Sequence, residues 1–191
     1  MPPKPKFTRE EIVNAALELV SEMGIEALTA RELGERLGSS ARPIFTVFKN
    51  MDELKVELRK TAMARFEASV GNTGDDMPQF KQIGMQMVKF AVEQPQLYQF
   101  LFMQKNHAAA SFEDVFGELG ETAHRCIDFI CRDYNLAYDK ARALFENVWI
   151  YTFGVGALCA TGVCRFSQER LGAMLTTEFR AMLSFITSED S

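Results

Sequence analysis

The stretch TARELGERLGSSARPIFTVFKNMDEL, residues 29–54, decides the fold. Thr29 is a good helix N-cap, and Glu32 three residues on has the spacing of a capping box, with Leu28 and Leu33 placed as a hydrophobic staple. The helix that follows buries Leu33 and Leu37 and exposes Arg31, Glu35 and Arg36. Gly38 ends it, because a left-handed C-cap costs glycine little. Ser39 or Ser40 is then placed to cap a second short helix carrying Ala41, Arg42, Pro43, Ile44, Phe45, Thr46 and Val47. Two short helices joined by a glycine turn spell a helix-turn-helix, whose second helix enters the major groove of DNA.

Working outward, Thr8 and Glu11 form a second capping box, and Ile12, Val13, Ala16, Leu17, Val20 and Met23 follow at helical spacing until Gly24. After the short helix, Asn50 caps a longer one, with Glu53 as its partner and Leu54, Leu58, Met63 and Phe66 as apolar contacts. This gives a three-helix head over residues 1–50 and a connecting helix over 51–70. A larger helical body then occupies 71–191.

The order of these devices resembles the TetR family of bacterial regulators. The resemblance rests on T-R-E-E-I-V-N-A-A-L from Thr8 and G-I-E-A-L-T from Gly24. It continues in G-x-S with an aliphatic-aromatic pair and Phe48, and in the acidic Glu53-Leu54; together these span residues 7 to 60. A shorter likeness in the body is carried by Pro95, Leu97, Tyr98 and Phe102, with Trp149 ahead of Gly154. The chain departs from the family pattern at Phe45, where a tyrosine is common, at Met51, where a lysine is usual, and at Pro43 inside the recognition helix. The resemblance implies an all-α protein that binds a double-stranded DNA operator as a homodimer and responds to a small apolar ligand. It assigns DNA contacts to Lys4, Lys6, Thr29, Arg31, Ser40, Ala41, Arg42, Pro43, Phe45, Thr46 and Lys49.

Charge qualifies that expectation. The chain carries a net charge of -5, yet residues 1–60 hold as many Lys and Arg as Asp and Glu, so the deficit lies in the body. A neutral head implies modest affinity at physiological salt. Hydrophobic residues make up 47% of the chain, enough for a sizeable core.

The body reads as helices throughout. Pro78 opens one running to about Glu93, and Pro95 opens a shorter one. Residues 105–111 read as a loop, and Ser111 caps a segment to Tyr134 that Gly117 or Gly120 interrupts. A long helix covers about 138–162, and the last begins after Ser167. The uncharged stretch Asn147–Cys164 is at the bare minimum length for a membrane span and contains Tyr, Thr and Gly, so a helix buried on both sides is the expectation, with no membrane partner.

Small residues there (Gly154, Gly156, Ala157 and Ala160) and the stripe Leu175, Phe179 and Met182 on the last helix are the expected dimer face, the alternative being a tightly packed monomer core. Aromatic and methionine side chains offer a ligand cavity: Met87, Phe90, Phe102, Met103, Phe116, Trp149 and Phe153, with Tyr98 and His124 as polar groups. The alternative is that each simply fills the core. Cys126, Cys131, Cys159 and Cys164 lie at i, i+5 within apolar helices, which fits buried thiols rather than a zinc site.

No metal or cofactor is expected, and no motif of an enzyme is present. No secretory signal is read in the first twenty residues, which fits a cytoplasmic protein. The competing class is a helical ligand-binding or adaptor protein that has lost specific DNA binding.

Overall fold

The computed structural model describes residues 5–70, 78–104 and 112–188, with side chains for all of these except 70, 112, 113 and 115–121. Among the described residues it is all-α: α1 (Arg9–Met23), α2 (Ala30–Arg36), α3 (Met51–Val70), α4 (Gln79–Glu93), α5 (Pro95–Phe102), α6 (Phe112–Tyr134), α7 (Tyr138–Ala160) and α8 (Gln168–Ser188). Two single 3-10 turns, Ile25–Ala27 and Ile44–Thr46, complete the chain order. The expected turn at 71–77, the loop at 105–111 and the cap Ser111 lie outside the described residues.

The helices form two compact units. Unit 1 comprises residues 1–69 and 93–104, and unit 2 residues 70–92 and 105–191. The sequence division counted residues 93–104 with the body, whereas α5 packs in unit 1, on α1. Gln94 and Gln96 make the fit specific. Ser21 donates to the Gln94 side-chain oxygen at 3.0 Å, and Gly24, with φ +84°, leaves room that a Cβ would lose to the Gln96 amide at 2.7 Å.

Unit 1 has a small, fully closed core. Ile12, Ala16 and Val20 of α1 meet Leu33, Ile44, Phe48, Leu54 and Leu58, each at most 1% exposed. Burying one such aliphatic side chain contributes roughly 1.5–3 kcal/mol. The first capping box is complete: Thr8 Oγ1 accepts from Glu11 N–H at 3.1 Å while Glu11 accepts from Thr8 N–H at 2.7 Å. The second is only half formed. Thr29 caps Glu32 at 3.1 Å, but the Thr29 N–H is already taken by the Ala27 carbonyl at 2.8 Å, so Glu32 has nothing to return.

Unit 2 is built on α6, α7 and α8, with α4 against them. One cluster joins Phe80, Ile127, Ile130, Leu144, Phe145 and Ile186; a second joins Val88, Val155, Leu171 and Leu175. The α6 backbone runs without a break through Gly117 and Gly120, against the expected interruption. It stops at Asn135, whose φ of +53° is one that asparagine tolerates, and Leu136 N–H closes the end on the Cys131 carbonyl at 3.3 Å. α8 begins after Ser167 as expected, and the Ser167 hydroxyl caps it, accepting from Arg170 N–H at 3.2 Å. By length and composition α7 is apolar enough to cross a membrane. In unit 2 it packs instead between α6 and α8 and buries Leu144, Phe145, Val148 and Val155.

Candidate DNA-contacting face and ligand cleft

The turn from α2 into the second short element is set by backbone needs. Gly38, at φ +62°, donates to the Glu35 carbonyl at 3.0 Å, and Ser39 N–H reaches the Gly34 carbonyl at 2.8 Å, which is the Schellman closure. Gly34 matters as much, and sequence reasoning passed over it. A Cβ there would stand 2.8 Å from the Ala41 nitrogen and the Ser40 carbonyl carbon, so only glycine lets the turn lie on α2. The signal was a glycine in mid-helix, which costs helix stability unless packing requires it.

Where an α-helix over 41–47 was expected, the chain makes turns and a single 3-10 helix at Ile44–Thr46. Pro43 is the cause: it has no N–H for an i→i−4 bond, and its fixed φ of -60° starts the 3-10 turn instead. Thr46 then closes that turn, its hydroxyl donating to the Pro43 carbonyl at 2.6 Å. Neither Ser39 nor Ser40 caps this element; Ser39 Oγ accepts from the Lys6 ammonium at 3.0 Å.

The short element still has two faces. Ile44 and Phe48, both 1% exposed, are its anchors in the core. Ser40, Arg42, Phe45, Thr46 and Lys49 face solvent, Phe45 at 46% exposure, while Ala41 and Pro43 are half-buried. Thr29 and Arg31 are also exposed, and Lys4 lies outside the described residues.

Arg9, another residue the sequence reading did not single out, locks this arrangement. Its guanidinium lies 4.2 Å from the Phe48 ring centre and pairs with Glu53 at 2.8 Å and Glu57 at 3.6 Å. Glu53 accepts from Lys49 N–H at 2.7 Å and so clamps the residue before Asn50, while Asn50 caps Glu53 N–H at 2.9 Å. The Lys49 N–H first, and Arg9 second, hold the Glu53 carboxyl below the usual range. Arg31 and Arg36 are likewise paired, with Glu35 at 2.9 Å and Glu22 at 2.6 Å. Among the described residues, Arg42, Lys49 and Lys6 enter no ion pair. The neutral head therefore neutralises its structural arginines and leaves its open cations near the exposed turn.

Unit 2 contains a partly open cleft of about 360 Å³ among α4, α7, α8 and the end of α6. Phe80, Val148, Leu175, Phe179 and Leu183 form its apolar wall, with Thr152, Thr176, Tyr134, Lys81 and Arg180 as polar members. Phe179 packs on Phe80 at 5.8 Å and on Tyr134 at 5.0 Å between ring centres.

Of the nine residues first assigned to a ligand, none of the eight with described side chains lines this cleft. Tyr98 and Phe102 belong to unit 1, where Phe102 packs edge-on against Phe66 at 5.3 Å; Met103, exposed, follows them. Met87 and Phe90 are buried on α4. Trp149 stacks on Phe153 at 5.5 Å, and both are half-buried. His124 is exposed, with its Nδ1 3.5 Å from the Tyr138 hydroxyl. The Phe116 side chain lies outside the described residues.

Of the expected dimer face, Leu175 and Phe179 turn into the cleft, Gly156 and Ala160 are buried, Ala157 and Met182 are half-buried, and Gly154 is exposed. All four cysteines are free. Burial pushes the Cys126 thiol up to about 12, away from reactivity.

A helix-turn-helix unit in one chain with a second, all-helical unit that holds a cleft defines a class of two-unit helical proteins with a DNA-reading type of head. Residues 12–58 match the family model described as bacterial regulatory proteins, tetR family. Over 45 residues the chain is 44% identical to the tetracycline repressor protein class C of Escherichia coli, a match covering 24% of this chain and 20% of that protein. The chain thus spans about a fifth of the length of that repressor.

Two solved structures share the fold. One is a TetR variant from Acinetobacter baumannii AYE in complex with minocycline, at 19% identity and a TM-score of 0.63, covering 97% of this chain and 99% of that one. The other is the fatty acid degradation regulator FadR from Bacillus halodurans, at 14% identity and a TM-score of 0.61, covering 96% and 97%. Residues 12–58 thus carry the head of the tetR family, and the chain as a whole shares the fold of these two structures.

Proposed function

We propose that the protein is a transcription regulator that binds a palindromic DNA operator as a homodimer and releases it when a small ligand occupies unit 2, a cytoplasmic repressor. One observation carries this reading: within the segment that matches the family model, Ile44 and Phe48 are buried while Arg42, Phe45, Thr46 and Lys49 stand exposed between and beside them. A short element with one face in the core and the other carrying open cations has the layout of a groove-reading element.

Dimerisation is supported by surfaces in unit 2. Ile150, at 53% exposure, Gly154 and Leu158 recur at i, i+4, i+8 on α7. Ala173, Thr177, Ala181 and Ser184 form an exposed small-residue stripe on α8. Small residues let helices of two copies approach closely, in a two-fold interface. Two heads held at a fixed spacing reach successive major grooves, and a ligand that prefers another spacing weakens binding. The minocycline complex of the related fold supports a ligand-responsive reading by analogy.

A second reading, a helical adaptor without specific DNA binding, is favoured by the exposed Phe45 ring, which brings no hydroxyl to a phosphate, and by Met51. Selection of bound fragments from random duplex DNA separates the two. A regulator yields a symmetric site whose binding falls steeply with added salt, and failure to enrich any sequence leaves the adaptor.

A further inference from the structure

Among the described residues, the cleft in unit 2 carries charge of one sign only: Lys81 and Arg180 line it, and no described carboxylate does. Neither cation has a hydrogen bond or ion pair among the described residues. The two threonines cannot donate into the space, because Thr152 gives its hydroxyl proton to the Val148 carbonyl and Thr176 to the Gly172 carbonyl, each at 2.7 Å. The donors left for an occupant are therefore the Lys81 ammonium, the Arg180 guanidinium and the Tyr134 hydroxyl. The rest of the wall is aromatic and aliphatic. Its volume of about 360 Å³ falls within the range of roughly 300–1,000 Å³ for small-molecule sites.

We propose that this cleft is the effector site and that it selects organic anions, molecules with an apolar skeleton and a carboxylate held by Lys81 and Arg180. The effector part rests on the ligand-responsive reading above. A neutral molecule of the same skeleton fills the apolar wall but leaves both cations unanswered, whereas a carboxylate gains charge-assisted hydrogen bonds. A second copy of the chain does not need this space. At 100° per residue, α8 turns Leu175, Phe179 and Leu183 nearly opposite to the exposed stripe of Ala173, Thr177 and Ala181. The chain also offers a route for the signal. Phe80, Lys81 and Gly84 of α4 line the cleft, and α4 continues through Gln94, which accepts from Ser21 of α1, directly into α5 of unit 1.

The test uses the full chain and four probes: decanoate, 2-naphthoate, decan-1-ol and decylamine, titrated calorimetrically below their aggregation limits. At least one of the two carboxylates is expected to bind roughly tenfold or more tighter than decanol, the ratio one charge-assisted bond supplies; which of the two does so separates an aliphatic from an aromatic skeleton. Decylamine is expected to bind weakest. The Lys81→Gln and Arg180→Gln variants, both changed at solvent-reaching side chains, should each lose most of that preference and keep decanol binding. Equal binding of decanol and both carboxylates, an unchanged preference in both variants, or no binding by any probe overturns the proposal. Duplex selection on the unliganded protein keeps the two readings apart. A selected operator with no anion preference sinks the cleft inference alone, while anion preference with no operator leaves the anion site standing and removes its effector role.

Discussion

Glycine is used differently in the two units. In unit 1, Gly24 and Gly38 have positive φ, and Gly34 has backbone 2.8 Å from where a Cβ would stand. In unit 2 the helical glycines Gly84, Gly154 and Gly172 meet nothing closer than 3.8 Å, and Gly162, past the end of α7, shares the positive φ at +72°. Both units pair some arginines, Arg9, Arg31 and Arg36 with glutamates in unit 1 and Arg142 with Glu146 in unit 2, and both leave cations open at the candidate sites: Arg42 and Lys49 at the turn, Lys81 and Arg180 at the cleft. Unit 1 is a shape fixed by backbone requirements, built to hold one turn in place. Unit 2 is a packing of large side chains that leaves room.

The largest expected effect strikes the anchor of that turn. Phe48→Ala removes a side chain 1% exposed and the ring under Arg9. A cost of about 3–5 kcal/mol is expected for such a truncation. Unit 1 should lose hydrogen-exchange protection and duplex binding, while the single tryptophan, Trp149 of unit 2, keeps its native fluorescence. Loss of both signals together would show that the two units do not differ in the way their glycines imply.

Next comes a direct contrast of two glycines. Gly34→Ala should cost about 1–3 kcal/mol, because the new methyl meets backbone rather than a movable side chain. Gly154→Ala should stabilise an isolated unit 2 by up to about 1 kcal/mol through helix propensity. If sedimentation shows instead that Gly154→Ala separates dimers, α7 approaches its counterpart closely at that point. Equal effects of the two substitutions in chemical unfolding would erase the distinction.

This contrast also explains what was legible in the sequence. The caps Thr8, Thr29 and Asn50, the stop at Gly38 and the helix starts at Pro95 and after Ser167 are local events, written within four residues, and all were readable. Pro43 stands out in the sequence as a departure inside the recognition helix, but whether a proline permits α or forces 3-10 depends on how the flanking anchors Ile44 and Phe48 are held. That is tertiary information. The same holds for α5, whose apolar side chains give no sign of the partner helix until Gln94 and Gln96 are seen against α1.

The lining of the cleft was the least readable. Aromatic residues that fill a core and those that border a cleft have the same spacing. Phe80 and Phe179 border the space, and Trp149 and Phe153 do not. Lys81 and Arg180 line it too, and neither stood out in the sequence.

A smaller effect distinguishes reading from holding within unit 1. Arg42 is exposed and unpaired among the described residues, so Arg42→Ala should leave stability unchanged. In a groove, an arginine paired with guanine discriminates by about 1–3 kcal/mol. The variant should bind a selected operator and its mutated forms with more nearly equal affinity. An unchanged ranking of sites would move base recognition to other residues of the turn.

The smallest effect is a pH response of opposite sign in the two units. In unit 1 the Glu53 carboxyl is lowered by the Lys49 N–H and Arg9, Glu11 by the Thr8 N–H, and Glu22 by Arg36. A carboxyl whose folded value lies below its unfolded one stabilises the fold above the unfolded value, about 4.3 for glutamate, and that contribution disappears as the pH falls through the folded value. Unit 1 should therefore weaken on the acid side. In unit 2 burial raises Cys126 from 9.0 to about 12 and also raises Tyr134 and Cys159. Groups kept neutral in the fold cost nothing below their unfolded values. As the pH climbs from about 9 towards 12, the unfolded chain ionises first and stability is lost. Unfolding followed by Trp149 fluorescence should accordingly shift on the alkaline limb and shift less in Cys126→Ala. Hydrogen exchange in α1 should respond on the acid limb, less so in Glu53→Gln. If both probes move on the same limb, the charged network of unit 1 is a surface decoration and the comparison must rest on the glycines alone.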